Sequence, residues 1–138
     1  MIKIPLALVL ISNYTLAQSS KIDSLVAIIV KGNVVSGYTK GINGIVSDEY
    51  QAYKSIIEIC KTEELITLLE HHNPCVRCYA FLALLNKNKS LAGEILLKNA
   101  IDNEKVTSIN GCFGQRISVS DFMKSKGREI ENPYRFRF

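Results

Sequence analysis

The chain has 138 residues, a formal net charge of +4 and a mean hydropathy of +0.10, values that fit one compact domain able to bury a real core. The positive charge is spread along the chain instead of being clustered among interleaved aromatics, which gives no footing for a nucleic-acid partner. No segment approaches the roughly 20 consecutive apolar residues that a membrane-spanning helix needs.

Lys3 precedes an apolar run from Ile4 to Ile11, and Thr15-Leu16-Ala17 sets small residues at the −3 and −1 positions of a cleavage site. This pattern predicts a signal peptide over residues 1–17 and a single domain over 18–138, secreted or periplasmic, with no membrane span after cleavage. Pro5 and the polar pair Ser12-Asn13 suit a core helix poorly. No cysteine follows the small-residue site, so no lipid anchor is expected.

Ser20-Lys21-Ile22-Asp23 has capping-box form and predicts a short helix carrying the apolar run Leu25 to Val30. Four glycines between Gly32 and Val46 read as a loop anchored by Val34, Val35, Ile42 and Ile45. Ser47 caps a predicted helix whose first turn carries Asp48 and Glu49 and whose inner face holds Ala52, Ile56, Ile57 and Cys60. A further helix starts at Thr62, with Glu63 and Glu64 in its first turn, and ends near His71-His72.

Asn73 as cap and Pro74 at the first helical position open a helix over Cys75 to Asn86. Val76, Ala80, Ala83 and Leu84 make one apolar stripe on it, and Cys78, Phe81, Leu82 and Leu85 another, so it should be sandwiched between neighbours. Ser90 opens a helix from Leu91 to Ile101 with Ile95, Leu96 and Ala100 inward. Thr107 to Gly114 reads as irregular, and Ser118 to Asp121 caps a final short helix through Lys126.

The stretch from Glu64 to Leu85 resembles a HEAT repeat: an amphipathic helix, a turn with Asn73 and Pro74, and a second helix in which Val76, Arg77, Ala80, Ala83 and Leu84 match the family spacing. A second, partial unit starts at Ala92 and carries Asp102 and Val106 in matching places, so the likeness covers Thr62 to Val106. The resemblance implies an all-α fold, a short right-handed stack of antiparallel helix pairs with an irregular C-terminal segment. It also implies an Arg77 bonded to a turn carbonyl or carboxylate, and a non-enzymatic scaffold whose partner is a protein or peptide.

Four cysteines in an exported chain predict one or two disulfides, with three full pairings open; a bridge from Cys112 back to Cys75 or Cys78 would tie the C-terminal part to the helices, and the apolar stripe around Cys60 also suits a buried thiol. Cys75-Val76-Arg77-Cys78 sits at a helix N-terminus, where the dipole favours thiolate, so a thiol redox pair is one alternative. Adding His71 and His72 gives four soft ligands around one turn, and a metal site is another. A structural role accounts for the same residues: the preceding element is helical where a redox fold needs a strand, the ligand spacing matches no finger, and histidines suit the last carbonyls of a helix. No nucleophile elbow, zincin, P-loop or dinucleotide motif occurs, and Glu63, Glu64 and Glu70 read as a solvated face, so no catalytic residue, cofactor or metal is assigned. The tail Tyr134-Arg135-Phe136-Arg137-Phe138 alternates like a last barrel strand but follows a helical body, and Tyr134, Arg135 and Phe136 are the predicted partner surface.

Overall fold

The computed structural model describes residues 6–98 and 101–131, with side chains over 14–98 and 101–129. Ten elements follow in order: α1 (Leu6–Gly32), β1 (Val35–Lys40), β2 (Ile45–Val46), α2 (Asp48–Ile59), α3 (Thr62–Leu68), α4 (Pro74–Lys87), α5 (Lys89–Lys98), β3 (Lys105–Gly111), β4 (Phe113–Ser118) and α6 (Val119–Glu131). The chain is therefore α/β and not all-α. The two stretches expected to be loop or irregular cap form a four-stranded sheet of order β2-β1-β3-β4.

Local chemistry explains the strands. Each of the two hairpins turns on glycine at a positive φ, which costs glycine no steric strain. In the β3–β4 hairpin Asn110 faces Phe113 across the two-residue turn Gly111-Cys112, and Gly111 takes the positive φ of 59° that a type II′ turn requires at that position. In the β1–β2 hairpin Gly41 and Gly44 supply the positive φ values. β1 and β3 pair in parallel, so α2 to α5 form the crossover between them.

The helix α4 is the hub. It packs against α1, α2, α3, α5, α6 and both central strands, and every residue from Cys75 to Phe81 is buried. The all-round apolar pattern had predicted such a sandwich, but part of the cover is sheet and not a second helix pair. No HEAT stack forms, because the unit that should follow α5 enters β3.

The expected signal-peptide segment has no boundary of its own, since α1 runs unbroken through Ala17. The expected capping box at Ser20 is helix interior, where Ser24 Oγ donates to the Ser20 carbonyl at 3.0 Å. Ile22, Val26 and Ile29 are the buried face of α1, spaced by four and three residues. The helix ends at Asn33, whose φ of 52° and N–H bond to the Ile29 carbonyl at 2.9 Å form a left-handed cap. At the other end of the chain Ser118 Oγ accepts the Asp121 N–H at 3.1 Å, and α6 continues past Lys126, burying Val119, Phe122 and Met123.

The sheet is covered at one end only. Val35, Ser36, Val106 and Ser118 are buried where β1 and β3 begin and β4 ends. Both hairpin turns lie at the opposite end, joined by a bond from the Gly41 N–H to the Gly111 carbonyl at 2.8 Å.

Candidate functional site

The cysteine and histidine cluster around the α3–α4 turn is a packed joint. Asn73 Oδ1 accepts the N–H groups of Cys75 at 2.9 Å and Val76 at 3.3 Å, fixing the start of α4. Cys75 and Cys78 both point into the interior, at 1% and 0% exposure. Burial pushes the Cys75 thiol up to about 11, with Glu49 adding to the rise, against smaller opposing effects of Arg116 and Arg77. Burial pushes Cys78 higher still. Desolvation dominates at both thiols and favours the neutral form, which is the reverse of what a reactive thiolate needs.

All four cysteines are free thiols. The expected bridge from Cys112 to Cys75 or Cys78 does not form, because Cys112 is exposed in the β3–β4 turn while the other two lie inside α4. Cys60 is the buried thiol expected of it, its pKa raised to about 11 by burial and by Glu64. His71 Nδ1 accepts the Asn73 N–H at 3.0 Å, and its ring stacks on His72 with centroids 4.2 Å apart. Burial lowers the His71 pKa, helped by His72 and Arg77. Among the described residues no group of three or more His, Cys, Asp or Glu side chains could hold a metal ion.

Arg77 makes the contacts that the resemblance implied. Its guanidinium donates to the His71 and His72 carbonyls at 2.8 and 3.1 Å and to Asp102 through two nitrogens at 2.9 and 3.2 Å, and it pairs with Glu104 at 3.0 Å. These bonds pin the α3–α4 turn to the entry of β3. Glu63 and Glu70 are exposed and Glu64 accepts the Lys61 N–H at 3.1 Å, as a solvated helix start would have them.

A second polar cluster joins β1, α2 and α4. Ser47 Oγ accepts the Tyr50 N–H at 3.1 Å and donates to Glu49 Oε2 at 2.7 Å, and Lys40 Nζ reaches both Glu49 oxygens at 3.0 and 2.9 Å. Ser36 Oγ bonds Ser47 Oγ, while Tyr79 OH accepts the Ser36 N–H at 2.8 Å and donates to the Ser36 carbonyl at 3.2 Å. Burial alone would raise the Glu49 carboxyl, but the bonds from Lys40 and Ser47 outweigh it and hold the pKa below its usual value. Both serines are buried and fully engaged, while Glu49 also borders a cleft of about 490 Å³ between α1 and α2 that Leu25, Lys31, Gly32 and Ala52 line. Sequence reasoning read Glu49 only as a complement to the helix dipole. Nothing in the spacing announces Ser36 and Lys40 as its partners, because they arrive on a strand.

One group of exposed apolar side chains lies at the uncovered end of the sheet, while Leu97 and Ile101 are exposed elsewhere. Ile42 is 94% exposed, Phe113 68%, Ile45 61% and Tyr38 58%, and Val46 is exposed beside them. From Tyr38 a ladder of rings runs inward through Tyr50 and Tyr53 to Tyr79, with centroids 6.0, 5.6 and 5.4 Å apart. Burial raises both Tyr53 and Tyr79 to about 12, so these phenols stay protonated. A cleft of about 300 Å³ lies where Gly37 and Asn110 of the central strands face Tyr50, Tyr53, Phe122 and Lys126. The sequence reading missed this end because it placed no sheet there. Its own partner surface, Tyr134, Arg135 and Phe136, lies outside the described residues. No protein-family model matches the chain, and no curated protein matches it.

Proposed function

We propose that the protein is a non-enzymatic binding module, acting outside the cytoplasm, that holds a protein or peptide partner at the hairpin end of its sheet. One observation carries this reading: Tyr38, Ile42, Ile45, Val46 and Phe113 stand exposed around two turns that a backbone hydrogen bond holds together. Scattered single apolar residues need no explanation, but a group of them on one rigid end marks an interaction surface. Tyr38 at its margin supplies large, stiff contact area. The burial of Cys75 and Cys78, which raises both thiols, speaks against the thiol redox alternative.

Export rests on the Lys3, Ile4 to Ile11 and Thr15 to Ala17 pattern. It is supported by the exposure of Tyr14 to Ala17, ahead of the first core residue of α1, the buried Ile22. N-terminal sequencing of protein recovered outside the cytoplasm should begin at Gln18, and an intact chain confined to the cytoplasm would refute export. For binding, the test is a crosslinking pull-down from the native envelope fraction with the wild type, Ile42→Asp and Phe113→Asp. The variants should fold normally and lose the captured partner. Equal capture by all three refutes the assignment of the surface.

A further inference from the structure

A second site emerges where α4, α5 and α6 meet, away from the exposed residues of the hairpin end. Leu85 of α4 and Leu96 of α5 line a groove of about 470 Å³, with the fully buried Phe81 beneath it, a volume in the range of small-ligand pockets. Two helical glycines face it. A Cβ on Gly127 would lie 3.3 Å from Leu96 Cδ2, so glycine there lets α6 approach α5. A Cβ on Gly93 would meet nothing within 4 Å, so glycine there leaves open space. Glycine is among the poorest helix formers, and neither position has a turn that requires it.

The rim is cationic. Lys89, Lys124 and Arg128 line the groove, no carboxylate does, and among the described residues none of the three forms an ion pair. An apolar trough under three unpaired cations is complementary to a hydrocarbon chain ending in an anion. We infer that this groove binds the carboxylate form of a long-chain fatty acid, the chain lying along Leu85, Gly93 and Leu96 and the carboxylate held by Lys124 and Arg128. The chain's own C-terminal tail is a poorer occupant because Arg135 and Arg137 carry the same charge as the rim.

The test is displacement of 11-(dansylamino)undecanoic acid from the full chain by palmitate or by palmitic acid methyl ester. Palmitate should displace the probe saturably at micromolar concentration, and the ester should be at least about tenfold weaker. Gly93→Leu projects a side chain into the groove without a backbone clash, and should weaken palmitate by about tenfold or more with no loss of melting temperature. Lys124→Gln with Arg128→Gln should weaken the acid and leave the ester unchanged. Equal binding of acid and ester, an unaffected Gly93→Leu variant, or no saturable displacement overturns the inference. Binding that arises only after removal of residues 132–138 assigns the groove to the tail and overturns it as well.

Discussion

Glu49 shows how a buried charge is kept. Gly32 leaves its carboxylate room, since a Cβ there would come within 1.8 Å of Oε1, while Lys40 and Ser47 supply its bonds. Gly32→Ala should therefore destabilise the fold by about 1–3 kcal/mol in chemical denaturation, through overpacking and disturbance of the ion pair. The pH dependence has a fixed sign. The folded-state pKa of Glu49 is below its ordinary value of 4.5, so its stabilisation is present above pH 4.5 and is lost as pH falls through the lower folded value. His71 acts in the same sense from its ordinary 6.5 downward, because a lowered histidine pKa means that protonation opposes the fold. Glu49→Gln should lower stability at pH 7 and flatten the acid limb of the stability curve. The thiols give a simpler check at this scale: a maleimide should label Cys112 in the native protein and all four cysteines only after denaturation.

Among the elements, helices announce themselves in the sequence far better than strands do. Ser47, Asn73, Pro74 and Ser118 mark helix starts through backbone N–H groups that need a partner, and the structure uses each of them there. The inner face of α2 and the surrounded character of α4 were likewise legible from apolar spacing. β1, β3 and β4 were not, because only their covered ends bury apolar residues and the alternation fades toward the turns. Glycine density suggested loops, whereas Gly41, Gly44 and Gly111 are the positive-φ positions of the two hairpin turns. Two glycines should then respond oppositely to substitution. Gly111→Val, forced to a φ of 59°, should cost about 1–3 kcal/mol, whereas Gly93→Ala, in open helical space, should stabilise by up to about 1 kcal/mol. Thermal melts of the two variants measure both.

At the scale of the whole molecule, the fold divides into a packed end and an open one. The packed end holds α4, the Glu49 cluster and the Arg77 pin, and absorbs the residues that looked most chemical in the sequence. The HEAT-like spacing around Asn73 to Leu84 is genuine local helix chemistry, but it describes one hairpin of helices and not the architecture that surrounds it. The open end presents Ile42 and Phe113 on adjacent turns, where neither contributes to the core. Its role as a binding surface is tested most directly by placing a photo-crosslinking amino acid at position 42, with a control at the exposed Ser90, and irradiating the protein in its native envelope fraction. The account predicts a discrete protein adduct from position 42 alone, abolished by Phe113→Asp. No adduct, or the same adducts from both positions, would contradict it.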